Sequence, residues 1–252
     1  MINPMDMTGR TVLVTGASSG LGRDICLLLG ALGARVMLSG RRADGLRETL
    51  GQMPGEGHVL APFDLADVDG IPSWMKELAG RIGPLQGVVH SAGVGSLRPL
   101  MTVSKGHVSE VLGPNVAAAF GLARGFRQAG VRDPRGGRLV MMSSAAGLTG
   151  NPGQSVYSAS KGALIAMARS MALELARDAI TVNCVAPGVV QSGMGGRASE
   201  LLPPEQHAAV VAQHPLGLGT GRDVAHAVVF LLADTGRWIT GTTLVVDGGY
   251  TA

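Results

Sequence analysis

Aromatic side chains are scarce in this chain. Its 252 residues include two Trp, two Tyr and four Phe. A core, if there is one, has to be built from Val, Leu, Ala and Met. Cysteine is scarcer still: Cys26 and Cys184 both sit in apolar runs. That excludes a disulfide framework, and neither cysteine has metal-ligand spacing around it, so two buried thiols and no metal are expected. The longest apolar runs, such as Val228–Ala233, are far too short to span a bilayer. The first residues show no basic–apolar–small-residue leader, so a soluble, cytoplasmic protein is the expectation. Charge of one sign is lacking too. The formal net charge is +3, and the densest basic group, Arg124, Arg127, Arg132, Arg135 and Arg138, is strung over a helix end and the loop after it. A nucleic-acid partner calls for a more concentrated basic face, and nothing calls for a membrane partner.

Glycine and aliphatic residues are what the chain has in quantity: 39 Gly, and 46% hydrophobic residues. Short apolar runs at Thr11–Thr15, Arg35–Leu38, Val59–Ala61, Gly87–His90, Arg138–Met142, Thr181–Val185 and Thr243–Val246 read as strands. Several are apolar at successive positions, as in strands buried on both faces of a parallel sheet. Helical patterns lie between them at 20–32, 43–52, 67–81, 104–128, 155–177 and 222–233. This alternation predicts an α/β fold: one Rossmann-type, doubly wound parallel sheet of seven strands with helices on both faces. No linker or repeat divides the chain, so residues 1–252 read as a single domain. Segment 189–220, rich in Gly and Pro with a short helical stretch near 203–213, breaks the rhythm. It reads as a flexible flap over a site.

Two segments carry chemistry. The first is Thr15-Gly16-Ala17-Ser18-Ser19-Gly20-Leu21-Gly22, at the junction of the first strand and first helix. Glycines there let a diphosphate approach the backbone, and the helix N-terminus offers free N–H groups. The second strand ends in Leu38-Ser39-Gly40-Arg41-Arg42. An acidic residue at that place would accept from a ribose 2′-hydroxyl. Its absence, with two guanidinium groups following, predicts NADP(H) over NAD(H). Asp64 stands after the third strand, placed to accept from an adenine amino group or to cap a turn. The second segment is Tyr157-Ser158-Ala159-Ser160-Lys161. Four residues apart on a helix, Tyr157 and Lys161 share a face. A free phenol titrates near pH ~10, and an adjacent ammonium favours its phenolate. A hydroxyl such as Ser144 can hold a substrate oxygen while Tyr157 exchanges its proton.

Taken together these motifs resemble the short-chain dehydrogenase/reductase family along essentially the whole chain, with 3-oxoacyl-carrier-protein reductases among the members it is most like. The resemblance rests on Thr15 through Gly22, Asp64, Ala92-Gly93, Asn115, Ser143 through Gly147, Tyr157 through Lys161, Asn183 through Gly188, and Gly241 through Gly249. It implies four catalytic positions. Ser144, rather than its neighbour Ser143, would orient the substrate carbonyl. Tyr157 would be the acid or base. Lys161 would tune the phenol and bind the nicotinamide ribose, and Asn115 would hold a water in a proton relay behind Lys161. It further implies that Gly16, Ser18, Ser19, Gly20, Leu21 and Gly22 cradle the diphosphate, with Arg41, Arg42, Asp64, Leu65, Ala92 and Gly93 around the adenosine. Pro187, Gly188, Val190 and Ser192 would hold the nicotinamide amide. One departure stands out. The family has Asn-Asn-Ala-Gly where this chain has His90-Ser91-Ala92-Gly93. A histidine at a strand end more often satisfies a backbone group than joins catalysis.

The activity so implied is hydride transfer between NADP(H) and a ketone or secondary alcohol, with a 3-oxoacyl thioester favoured and a sugar or polyol ketone next. A dehydratase or epimerase on the same scaffold, or an NADP(H) sensor without chemistry, are the readings of another class. The family also implies self-association as a dimer or tetramer through helices 104–128 and 155–177.

Overall fold

The computed structural model describes residues 3–191, 194, 196, 199 and 202–252. Seven parallel strands form one sheet: β1 (Thr11–Thr15), β2 (Arg35–Ser39), β3 (Val59–Leu60), β4 (Gly87–His90), β5 (Gly137–Met142), β6 (Ile180–Pro187) and β7 (Thr243–Val246). Their spatial order is β3-β2-β1-β4-β5-β6-β7. The order reverses between β1 and β4, which pair with Thr15 opposite His90. In such sheets the crevice at the carboxyl ends of the two diverging strands is where a ligand lies.

Alternate residues of each strand enter opposite cores, because side chains in a strand alternate faces. Leu13, Met37, Val88, Leu139, Met141 and Val182 join one cluster with Ile71, Met75, Leu122, Phe126 and Leu164. Val12, Val14, Val36, Leu38, Val89 and Val140 join the other with Ile25, Leu29, Leu46, Val224 and Val228. The first face is covered by α3 (Ile71–Ile82), α5 (Ala118–Arg127) and α6 (Ser155–Leu175). The second is covered by α1 (Gly20–Ala31), α2 (Ala43–Gln52) and the helix Gly221–Leu232. Both cysteines are buried and free. With few aromatics available, Phe126 is the largest fully buried side chain.

The continuous helix predicted over 104–128 is broken. It is α4 (Lys105–Leu112), a π-helical turn over Gly113–Ala117, and then α5. Pro114 supplies the reason, since it has no N–H to give the helical ladder and its ring clashes with the preceding turn. The helix predicted from 67 starts at Ile71, after a turn in which Asp67 accepts from the Gly70 N–H. β6 runs two residues further than predicted, to Pro187.

Four of the five arginines of the basic group pair with carboxylates within the fold. Arg127 and Arg132 both bind Asp178, Arg124 binds Asp69, and Arg135 binds Asp133. Among the described residues no helix is long and apolar enough to cross a membrane, and no cluster of His, Cys, Asp and Glu is arranged to hold a metal.

Truncating Phe126 leaves a cavity that its neighbours cannot fill. A Phe126→Ala variant is expected to lose about 3–5 kcal/mol of unfolding free energy, measured by urea denaturation against the parent chain.

Candidate active site

The loop after β1 is shaped by close approach. Gly16 has φ +69°, a left-handed conformation that glycine adopts at no steric cost. A Cβ there would lie 2.8 Å from the Ala92 backbone. The loops after β1 and β4 therefore touch backbone to backbone. Ser19 precedes α1 in extended conformation and makes no side-chain cap. The first-turn N–H groups of α1 are thereby left to a ligand, and the helix dipole favours a negative one. Arg23 braces this loop, donating to the Ser18 carbonyl at 2.9 Å and to Thr49 Oγ1 at 3.0 Å.

A cavity of about 910 Å³ opens along the carboxyl edge of the sheet. Its wall includes Gly16, Ser18 to Gly22, Gly40 to Arg42, Phe63 to Ala66, Ser91 to Val94, Tyr157 and Lys161. Arg41 and Arg42 are exposed at its rim. Asp64 lines it and also accepts from the Ala66 N–H at 3.1 Å. These features fit a dinucleotide: a glycine cradle that a Cβ would fill, an uncapped helix start, and guanidinium groups in place of a carboxylate beyond β2.

At the other end of the cavity, α6 carries Tyr157 and Lys161. Lys161 is buried, its Nζ donates to the Met142 carbonyl at 2.8 Å, and it stands 5.6 Å from the centre of the Tyr157 ring. Burial lowers the Lys161 ammonium to about 8. Tyr157 moves the other way. Burial raises its phenol above the ordinary value, opposed by a hydrogen bond with Ser144. The expected lowering of the phenol is thus not what the site shows: burial raises it, and Nζ is aimed at the Met142 carbonyl.

The two serines after β5 separate by partner. Ser143 is buried and donates its hydroxyl to the Lys161 carbonyl at 2.9 Å. Ser144 is partly exposed, accepts from the Ala146 N–H at 3.2 Å, and is the one beside Tyr157. Asn115, fully buried in the π-turn, is saturated through its side chain. Its Oδ1 accepts from the Val94 N–H at 2.8 Å, and its Nδ2 donates to the Val94 carbonyl at 3.1 Å and to Ser160 Oγ at 2.9 Å. Ser160 in turn donates to the Tyr157 carbonyl at 2.6 Å. A Cβ on Gly93 would lie 2.9 Å from Asn115 Oδ1 and 3.5 Å from Lys161 Nζ. The Ala92–Gly93 loop, the π-turn and α6 therefore meet at one point.

Pro187, Gly188 and Val190 lie at the end of β6, outside the wall of this cavity. Val190 forms an isolated bridge with Gly219, in which the Gln191 N–H donates to the Gly219 carbonyl and the Gly219 N–H to the Val189 carbonyl. That pattern turns the N–H and carbonyl of Val190 itself away from Gly219. Ser192 lies outside the described residues. Sequence reasoning missed four contributors: the Met142 carbonyl, Ser160, the Thr15 hydroxyl, and Met194, which lines the cavity. Thr15 and Ser160 were legible as polar residues at an apolar strand's end and on the Tyr157–Lys161 face. A backbone carbonyl leaves no trace in a sequence.

Residues 16–251 match the family model described as Enoyl-(Acyl carrier protein) reductase. The chain is 37% identical over 246 residues to the 3-oxoacyl-(acyl-carrier-protein) reductase FabG of Rickettsia conorii, covering 97% of this chain and 98% of that protein. It is 34% identical to the enzyme of the same name from Escherichia coli strain K12, with the same coverage. The crystal structure of a dehydrogenase/reductase from Sinorhizobium meliloti 1021 superimposes with a TM-score of 0.90 at 30% identity, covering 99% of this chain and 98% of that one. The chain belongs to the short-chain dehydrogenase/reductase family. It is a nicotinamide-dependent oxidoreductase acting on a ketone or secondary alcohol.

The buried ammonium has a thermodynamic signature. Lys161 titrates at about 8 in the fold against 10.5 for the ordinary group. Between those values the unfolded chain holds a proton that the folded chain has released, so stability rises with pH across the window. A Lys161→Met variant lacks this term. The stability difference, parent minus variant, is expected to become more favourable from pH 8 to 10. It is read by urea unfolding at matched pH, and a flat difference would contradict the burial.

Proposed function

We propose that this chain is an NADPH-dependent reductase of 3-oxoacyl thioesters, working in the cytoplasm as a homotetramer. The observation that carries the chemistry is the phenol of Tyr157 beside the Ser144 hydroxyl and over buried Lys161, at the end of a cavity that starts in a phosphate cradle. The substrate class is supported by the names of the curated relatives. It is also supported by the apolar side chain of Met194, which lines the cavity. Exposed Phe120 on α5 and Leu173 on α6 support self-association through those helices. The chain is read as one domain in which segment 189–220, part of which lies outside the described residues, faces the site.

The residues divide the work. Gly16, Ser18, Ser19, Gly20, Leu21 and Gly22 hold the diphosphate, and Arg41 and Arg42 receive the 2′-phosphate. Asp64, Leu65, Ala92 and Gly93 bound the adenosine, and Pro187, Gly188, Val190 and Ser192 meet the carboxamide. The cofactor, when bound, supplies the hydride. Ser144 donates a hydrogen bond to the substrate carbonyl oxygen and fixes its direction. Tyr157 gives that oxygen its phenolic proton as the alcohol forms. Burial disfavours the phenolate, so the group beside Ser144 is a phenol able to act as the acid in reduction. Lys161 holds the phenol from below and supplies the positive charge that offsets the departing proton. Asn115 keeps α6 against the π-turn through Ser160.

Two outcomes test this. NADPH oxidation with a 3-oxoacyl thioester is expected, and a Tyr157→Phe variant is expected to lose kcat by roughly 10²–10⁴-fold while still binding NADPH in a fluorescence titration. Turnover only with sugar ketones would overturn the substrate class. An Arg41→Ala variant is expected to weaken NADPH by roughly ten- to hundredfold, the worth of a charge-assisted hydrogen bond, with a far smaller effect on NADH. Equal loss for the two cofactors would remove the phosphate-binding role.

A further inference from the structure

The imidazole of His90 stands where the family has Asn, at the crossing of three segments that the chemistry depends on. It is 1% exposed. Its Nε2 lies 3.2 Å from the Asn115 main-chain carbonyl, and its Nδ1 lies 3.2 Å from Thr15 Oγ1. A carbonyl only accepts, so Nε2 carries the hydrogen, and Nδ1 accepts from the Thr15 hydroxyl. Thr15 Oγ1 accepts in turn from the Ala92 N–H at 3.1 Å. Ala92 is the residue whose backbone presses on Gly16 in the phosphate loop.

The two sides of the ring therefore lead to different places. From Nδ1 the path runs through Thr15 to Ala92 and the cradle of the cofactor. From Nε2 it runs through the Asn115 carbonyl into the π-turn. There the Asn115 side chain grips Val94 and Ser160, and Ser160 grips the Tyr157 carbonyl. His90 is a partner of the Asn115 carbonyl from outside its own helix. This is the carbonyl end of the residue that the family resemblance marks as holding a relay water.

We propose that His90 is a positioning residue that couples the cofactor cradle to the Tyr157–Lys161 helix, with one ring nitrogen serving each side. The reach of the ring is what distinguishes it from Asn. An Asn amide places its polar atoms near the position of Nδ1, whereas a Gln amide extends to the position of Nε2. The inference rests on Tyr157 and Lys161 being the acid–base pair.

The test exploits that difference in reach. His90→Asn retains a partner for Thr15 and leaves the Asn115 carbonyl without its donor. It is expected to lower kcat roughly three- to tenfold, the worth of one hydrogen bond, with the NADPH Kd within about twofold. His90→Gln retains the donor to Asn115 and leaves Thr15 only its longer contact to the Val89 carbonyl, at 3.4 Å. It is expected to weaken NADPH by a similar factor and to move kcat less. NADPH affinity is read by fluorescence titration, and folding by thermal unfolding of each variant. If kcat and Kd move in parallel in both variants, or in neither, His90 is a core residue only and the proposal falls. Should neither variant fold, Thr15→Val decides, because it removes the hydroxyl and keeps the ring. It is expected to weaken NADPH binding more than it lowers kcat, and an unchanged Kd overturns the coupling. The titrations need no turnover, so a failed split leaves the Tyr157–Lys161 reading standing. A Tyr157→Phe variant with undiminished turnover fails that reading alone.

Discussion

A buried ammonium has to find an oxygen, and the site is arranged around how Lys161 finds one. Taking its charge out of water is costly, and a single well-placed carbonyl offsets part of that cost. The Met142 carbonyl does so at 2.8 Å, at the last residue of β5. The carboxyl end of β5 is thereby tied to α6. Ser143, the next residue, repeats the tie by donating to the Lys161 backbone. With strand and helix fixed at that point, Ser144 comes to lie beside Tyr157. The choice between the two serines is thus a consequence of strand geometry. The residue that continues the strand donates to the helix backbone, and the one after it meets the Tyr157 phenol.

The fold was legible because its physics is periodic. Strands buried on both faces leave continuous apolar runs, and Val12-Leu13-Val14 sends alternate residues into two separate cores. The cradle was legible because close backbone approach demands glycine, as at Gly16. The Tyr157–Lys161 spacing was legible because it is one helical turn. The break in 104–128 was harder to read, since its apolar pattern continues through Pro114 and only the proline argues against it. The polar interior was legible only as residue types, not as partners. Ser160, Thr15 and the Met142 carbonyl matter through partners far along the chain, and no local pattern announces a hydrogen bond between residues 45 positions apart such as Asn115 and Ser160.

The π-turn shows how a local defect serves the site. The main-chain carbonyl of Asn115, in that turn, lies 3.2 Å from His90 Nε2, and a carbonyl can accept from a second donor besides a helical N–H. In this chain the donor is an imidazole. The ring is neutral because burial lowers it to about 4, with the nearby Lys161 charge acting in the same direction. It can therefore donate from one nitrogen and accept at the other across the whole neutral range. A charged ring would lose its acceptor for Thr15 and would set a second buried cation near Lys161.

Burial drives Tyr157 and Lys161 in opposite senses, raising the phenol and lowering the ammonium. Each shift disfavours the charged form of its own group. The state that suffers most from burial is a phenolate standing alone, because its charge would be both desolvated and unopposed. A phenolate over an ammonium is the less costly alternative, since each charge then has a partner in a medium of low dielectric. Proton loss from Tyr157 is therefore coupled to the charge on Lys161. That coupling accounts for the order of the site: an acid at the surface of the cavity, an ammonium below it, and a carbonyl below that to keep the ammonium in place.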